Sequence, residues 1–219
     1  MALAIFDLDE TLIADDSDHA WGEFIADRGL VDADAHRRQN EVFFEAYKRG
    51  DLDIHAYLRF ACKVLAEHDV EFLNELRREF FDERIRPMLL DRAEALIESH
   101  RERGDTLIIV TATAEFVTRP IAEHYGIDTL IAPIPEFRDG RYTGEIVGTP
   151  SFREGKVTRI NEWLTTSAET LEGSYCYSDS HNDVPMLELA TFPHAVDPDP
   201  KLESIARERQ WPIISLRES

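Results

Sequence analysis

Two aspartates, Asp7 and Asp9, stand two residues apart where a short apolar run, Ala2 to Leu8, meets a polar break, Asp7-Leu8-Asp9-Glu10-Thr11. Two carboxylates this close are costly if both are ionised and buried. A bound divalent cation relieves that cost. Asp179 and Asp183 add two more carboxylates at the end of a second apolar run, Tyr175 to Ser178. Hard oxygen donors of this kind suit Mg²⁺, which keeps several waters and binds a substrate phosphate. Thr111 and Lys156 bring the complementary chemistry. A hydroxyl with backbone N–H groups at a helix start holds phosphate oxygens. A lysine neutralises charge on a transferring phosphoryl group. Taken singly, each of these residues also serves as a helix cap or a surface group. Their force lies in where the elements place them.

Ala2–Leu8 reads as a buried strand. Leu107-Ile108-Ile109-Val110 is a second, an apolar run covered on both faces. Leu130-Ile131-Ala132 is a third, Tyr175 to Ser178 a fourth, Ala195-Val196 a fifth, and Ile213-Ile214 an extra one. Helical spacing marks the segments between them. Trp21, Phe24 and Ile25 follow a cap at Ser17 or Asp18. Ile54, Tyr57, Leu58, Ala61, Val64 and Leu65 follow Asp53, and Phe72, Leu73, Leu76 and Phe80 continue the pattern. Ala93, Leu96, Ile97 and His100 lead to a stop at Gly104. A further helix runs from Phe116 to Tyr125, and another from a cap at Ser151 to Leu164. Arg138-Asp139-Gly140-Arg141 is a hairpin turn.

Strands alternating with helices predict an α/β fold, a doubly wound, Rossmann-like parallel sheet. A helical block over residues 16–85 interrupts the alternation. The expected division is a core of residues 1–15 and 86–219 with a helical cap of residues 16–85. Ligands in such a sheet bind at the carboxyl ends of the strands. Asp7, Thr111 and Asp179 each lie at or just after such an end, so three polar breaks converge on one place.

The 219 residues carry 44 Asp plus Glu against 24 Lys plus Arg, a net charge of −20. That balance excludes a general nucleic-acid binder and disfavours anionic membranes. It also repels anionic substrates unless a cation or local basic group compensates. Cys62 and Cys176 are too few for a disulfide framework, which points to a reducing cytoplasm. Asp7 comes too early for a signal peptide, and no stretch approaches the ~20 apolar residues of a membrane span. Cys176, on a buried strand, reads as inert packing. Oligomeric state is not legible.

Asp7-Leu8-Asp9-Glu10-Thr11-Leu12 resembles the DxDxT signature of the haloacid dehalogenase (HAD) superfamily of phosphatases. Thr111 after Leu107–Val110 resembles that family's second motif, and Lys156 within Glu154-Gly155-Lys156 the third. Ser178-Asp179-Ser180-His181-Asn182-Asp183 resembles the fourth. The four occur in family order across residues 5–185, and the helical block resembles the cap of the phosphoserine-phosphatase-like branch (subfamily IB). The resemblance implies Asp7 as nucleophile, forming an aspartyl-phosphate. It implies Asp9 as the acid for the leaving alkoxide and then as the base for water. Mg²⁺ would be held by Asp7, Asp179 and the Asp9 carbonyl. Asp183, with Asn182 beside it, would support the metal and Lys156 from outside. Thr111, the Ala112 amide and Lys156 would hold the phosphoryl oxygens. The carboxylate at Asp9 favours phosphoester hydrolysis over carbon–halogen cleavage.

Two residues depart from the branch pattern. Ser178 stands where many relatives have Gly. Thr111-Ala112-Thr113 replaces Ser-Gly-Gly, which weakens the expectation of phosphoserine as substrate. Asp15, Asp16 and Asp18 crowd the start of the helical block, and Asp16 matches the position that binds the substrate amine. They cap helix N-termini and solvate the surface in one reading and form a cation-accepting pocket in the other. The Asp-Ser-Asp-His-Ala-Trp pattern resembles bacterial members acting on histidinol phosphate, so L-histidinol phosphate is the first expectation. Phosphoserine is second, with Arg37, Arg38 or Lys48 as partners for its carboxylate. Two alternatives stand beside hydrolysis. One is phosphotransfer to an alcohol acceptor. The other is a non-catalytic acidic interaction module, which predicts loss of Asp7, Asp9, Lys156 or Asp179; none is lost. His181 is expected to hydrogen-bond or face solvent rather than bind metal, and Trp21 to pack between the block and the core or to contact substrate. His19 is open to substrate contact.

Overall fold

The computed structural model describes residues 2–217. The first strand, β1 (Leu3–Phe6), is wholly buried. Its side chains alternate between two apolar clusters, as a strand covered on both faces requires. The sequence pattern extends this strand to Leu8, but the ladder ends sooner. The Leu8 carbonyl turns to accept from the amides of Thr11, Leu12 and Ile13.

Four helices form the insert that follows: α1 (Ser17–Asp27), α2 (Ala33–Arg49), α3 (Ile54–Glu67) and α4 (Val70–Phe80). Asp32, Asp53 and Asp69 cap α2, α3 and α4 by accepting a first-turn amide. The cap of α1 is Asp16, not Ser17 or Asp18: its Oδ1 accepts from the amides of Asp18 and His19, both at 2.8 Å. Asp16 has extended backbone angles, whereas Ser17 and Asp18 are already helical. The chain leaves this insert through a π turn (Phe81–Ile85) and a 3₁₀ turn (Arg86–Met88). Entry and exit are tied together, with Ile13 bridging Leu89 and the Ala14 amide donating to the Met88 carbonyl at 2.8 Å.

The core continues with α5 (Asp91–Glu102), β2 (Thr106–Val110), α6 (Glu115–His124) and β3 (Thr129–Ile131). An antiparallel hairpin, β4 (Ile134–Arg138) and β5 (Arg141–Val147), follows and packs against α3. Its turn residues Asp139 and Gly140 both have positive φ, 51° and 80°, the requirement of a tight hairpin turn. Then come α7 (Glu154–Leu164), β6 (Tyr175–Ser178), α8 (Val184–Leu187), β7 (Phe192–Val196), α9 (Pro200–Arg209) and β8 (Ile213–Ile214).

The main sheet has six strands in the order β3-β2-β1-β6-β7-β8, all parallel. This is the expected doubly wound α/β fold. Leu3 and Ile5 face a cluster with Ile160, Met186 and Leu202; Ala4 and Phe6 face one with Trp21, Phe80, Ile97 and Ile121. Ser151 does not cap α7. Its hydroxyl donates to the Thr111 carbonyl at 2.6 Å, and α7 begins after Arg153, which has φ 50° and no side-chain cap. Gly155 is required there, because a Cβ would come within 2.1 Å of the Pro150 carbonyl oxygen. Both cysteines are buried and free.

Candidate active site

β2, β1 and β6 are neighbours, and their carboxyl ends deliver Thr111, Asp7 and Asp179 to one edge. The ladder carries on to these residues: the Asp7 amide donates to the Tyr177 carbonyl at 2.9 Å and the Thr111 amide to that of Ile131 at 3.0 Å. α7 supplies Lys156 from its first turn. Its ammonium sits between Asp7 Oδ1 at 2.8 Å and Asp183 Oδ2 at 2.7 Å, all three groups almost fully buried. Asp183 Oδ2 also accepts from the Ser178 hydroxyl at 2.8 Å. The Ser178 hydroxyl thereby orients the carboxylate that holds Lys156, which a glycine at this position could not do.

Asp9 is oriented by donors from three residues on two segments. The Ser17 amide (2.7 Å) and hydroxyl donate to Oδ1; the hydroxyls of Thr111 (3.2 Å) and Thr113 (2.8 Å) donate to Oδ2. Asp179 is fixed by Thr11, whose hydroxyl donates to Oδ1 at 2.9 Å while accepting from the Asp179 amide at 3.0 Å. Ser17, Thr113 and Ser178 are not among the site residues that the sequence predicts. A lone Ser or Thr carries no signal until the fold shows which carboxylate it faces.

Burial dominates the electrostatics. It pushes the Asp7 carboxyl up to about 8, with Lys156 opposing and Asp183 and Asp9 adding to the rise. Burial and the nearby Asp7 likewise raise Asp179. Burial alone would lower Lys156, but Asp183 and Asp7 outweigh it and raise it. Two carboxyls at adjacent strand ends that are both disfavoured as anions fit a divalent cation held by oxygen. Among the described residues no group of three or more His, Cys, Asp or Glu side chains forms a metal cluster. A cation here would rely on two carboxylates, the Asp9 carbonyl, water and substrate, which is the habit of Mg²⁺.

The insert roofs this edge. The space between them is a cavity of about 50 Å³. Asp7, Asp9, Thr111, Ala112 and Lys156 line its floor; Asp16, Asp18, Phe43, Phe44 and Tyr57 line its roof. Asp15 does not take part: it is exposed and accepts from the Asp16 amide. Arg37 and Arg38 do not line the pocket either. Arg37 is held by Glu23 at 2.8 Å and Asp27 at 2.6 Å on the outer surface. The Lys48 ammonium lies over the Phe44 ring, 3.8 Å from its centroid. Lys156 is thus the only Lys or Arg among the described residues lining the pocket. His19 lines it too, paired with Asn40 at 3.0 Å. Trp21 packs against Phe80 and Phe116, joining the insert to the core.

The insert is seated on the core. The Tyr47 hydroxyl donates to Ser180 at 3.2 Å, and the Asn182 side-chain amide donates to the Tyr47 carbonyl at 3.2 Å. Asn182 therefore engages the insert. Gly50, in the left-handed region, lets α2 end against His181. Lys201 donates to the Lys48 and Arg49 carbonyls, and Arg153 to that of Gly50 at 2.8 Å. His181 pairs with Asp199 at 2.7 Å.

A parallel α/β sheet with this ordered set of acid, hydroxyl and lysine groups on its carboxyl edge defines a hydrolase of the haloacid dehalogenase class. The family model for haloacid dehalogenase-like hydrolases matches residues 4–188, and the chain belongs to that family. It is a phosphatase. A histidinol-phosphatase of Neisseria meningitidis serogroup C (strain 8013) is 45% identical, covering 98% of this chain and 99% of the relative. The phosphoserine phosphatase SerB1 of Mycobacterium tuberculosis is 31% identical over 99% of this chain and 71% of its own length. A crystal structure of a protein of unknown function from Bordetella pertussis Tohama I superposes with a TM-score of 0.92 at 46% identity, covering 98% of both chains. A phospho-aspartyl intermediate analogue of phosphoserine phosphatase shares the fold, with a TM-score of 0.71 at 19% identity over 100% of this chain and 94% of that one. No helix among the described residues is long and apolar enough to cross a membrane.

Proposed function

We propose that the protein is a Mg²⁺-dependent phosphomonoester hydrolase that acts through an aspartyl-phosphate at Asp7 on a small amine-bearing phosphate ester, L-histidinol phosphate first among them. Residues 16–85 serve as the cap and residues 1–15 and 86–219 as the catalytic core. The observation that carries the substrate reading is the pocket's charge pattern. Beyond the phosphoryl end it offers the carboxylates of Asp16 and Asp18 among aromatic rings and, among the described residues, no Lys or Arg to receive a substrate carboxylate. That pattern welcomes an amine or an imidazole and disfavours phosphoserine. The Neisseria relative named histidinol-phosphatase supports the same reading.

In the mechanism, Asp7 attacks phosphorus through a carboxylate oxygen while Lys156 and the Ala112 amide hold the phosphoryl oxygens. Asp9, aimed by Ser17 and Thr113, gives its proton to the leaving alkoxide. It then takes a proton from the water that opens the acyl phosphate. Asp183, fixed by Ser178, holds Lys156 in place. Asp7, Asp179 and the Asp9 carbonyl would hold Mg²⁺, which supplies positive charge against the phosphoryl group and the two carboxylates when bound. The seated insert excludes bulk water from the acyl-phosphate step.

Phosphate release is to be compared side by side on L-histidinol phosphate and L-phosphoserine, with Mg²⁺ and with chelator. Turnover of the first in Mg²⁺ alone is expected. Turnover restricted to phosphoserine would overturn the substrate assignment. Asp7→Asn should bind substrate and show no turnover; near-normal turnover would overturn the nucleophile. Added alcohol acceptors separate hydrolysis from phosphotransfer, since phosphorylated alcohol appears only in the latter.

A further inference from the structure

Asp16 and Asp18 stand two residues apart on the pocket roof, yet their surroundings differ. Asp16 is half-buried and uses Oδ1 to cap α1. Asp18 is 5% exposed, and its Oδ2 has no hydrogen-bond partner among the described residues. A buried carboxylate oxygen left without a donor is costly to the fold. Nothing in the helix needs it, because Asp16 already caps α1. Asp18 lines the same pocket as Asp7 and Lys156, and aromatic side chains surround it there. Phe43 meets Tyr57 edge-on with centroids 5.2 Å apart, and His19 stacks on Phe44 at 5.3 Å. The walls suit a flat ring, and the orphaned oxygen suits an N–H at its edge.

The proposed substrate class has three polar ends: a phosphate, an amine and an imidazole. The pocket has three polar stations: Lys156 with the Ala112 amide, Asp16, and Asp18. Resting on the proposed function, we infer that Asp18 is a specificity-determining subsite. Its Oδ2 accepts the ring N–H of the imidazole while Asp16 takes the amine. The oxygen without a partner in the free protein then gains one only from a substrate of the right shape. A site built in this way rejects an analogue lacking the N–H, because Oδ2 then stays buried without a partner. A small void behind Asp18 is also lined by His36, whose Nε2 likewise lacks a partner. If Asp18 served only that void, it would be a structural group and would not discriminate between ligands.

The test compares L-histidinol phosphate with L-phenylalaninol phosphate, which keeps the amine, the phosphate and a flat ring but has no ring N–H. Wild type is expected to favour the imidazole compound. In Asp18→Asn the ratio of the two kcat/KM values is expected to fall ~10- to 100-fold, the range for a lost hydrogen bond to a charged group. The loss should fall chiefly on KM. Calorimetric binding of L-histidinol and L-phenylalaninol to Asp7→Asn, with and without the Asp18 change, gives the same ratio without turnover. An unchanged ratio, or equal loss on both compounds, overturns the assignment of Asp18 while leaving the proposed function standing. Wild type that hydrolyses phosphoserine and not L-histidinol phosphate overturns both.

Discussion

Asp18 shows at the scale of one residue how a binding pocket trades against stability. Burial pushes its carboxyl from 3.8 up to about 7, with the Tyr57 hydroxyl opposing and Asp9 adding to the rise. Asp16, Cys62 and His36 are the other titratable groups facing it. A carboxyl raised in the fold leaves stability intact below its unfolded value and removes it as pH rises through the folded value. For Asp18 the window runs from 3.8 to about 7. Asp18→Asn should therefore be more stable than wild type at pH 8, by up to ~4 kcal/mol and with a higher Tm, the gap closing toward pH 4. Thermal unfolding of both ligand-free proteins at the two pH values checks this; equal Tm at pH 8 would contradict it. At the same scale, Asp7, Asp9, Asp179, Asp183 and Lys156 were legible as a set from spacing and order. Ser17, Thr113 and Ser178 were not, because their meaning is a hydrogen bond to a carboxylate that the fold brings beside them.

Among the elements, strands were the easiest to read. A run that is apolar at every position has to be covered on both faces, and Leu107–Val110 became the inner strand β2. Helix starts were less secure. Asp16, Ser17 and Asp18 are all good caps by type, and only backbone angles separate them. Ser151 also has the right type, but the fold needs its hydroxyl on the Thr111 carbonyl. The seating of α2 on the core was not visible at all. Gly50 has φ 83°, and a Cβ there would stand 3.2 Å from His181 Nε2. Gly50→Ala should cost about 1 kcal/mol through its left-handed backbone. It should also raise KM by shifting Leu52 and Tyr47 at the pocket. Steady-state kinetics and unfolding read both effects, and an unchanged KM would show that the α2 end does not set the roof. Lys201→Met removes two hydrogen bonds to the α2 carbonyls. It should speed proteolytic cleavage around Asp51, measured with the pocket empty and with phosphate present.

Over the whole molecule, the −20 charge divides into parts. Asp7 and Asp183 face Lys156 at the core of the site, and Asp16 and Asp18 face the pocket. Much of the rest is surface, partly paired as in Arg37 with Glu23 and Asp27, or Arg84 with Asp27. Exposed pairs of this kind contribute little each, so net repulsion persists. Raising NaCl from ~0.05 to ~0.5 M should therefore raise Tm, because screening weakens repulsion across the surface. A falling Tm over that range would show that attractive pairs dominate instead. By itself, the sequence determined the parallel α/β core, the helical insert and the set of polar groups that the strand ends bring to one edge. Burial, helical period and motif order are properties of the chain read along its length. Only the tertiary structure decided which polar groups meet. It placed Asp15 outside and Asp18 inside, although they lie close together in the chain, because the turn into α1 points the two side chains to opposite environments. It also left Lys156 as the one Lys or Arg lining the pocket among the described residues, since Arg37 finds closer partners on the insert's own surface.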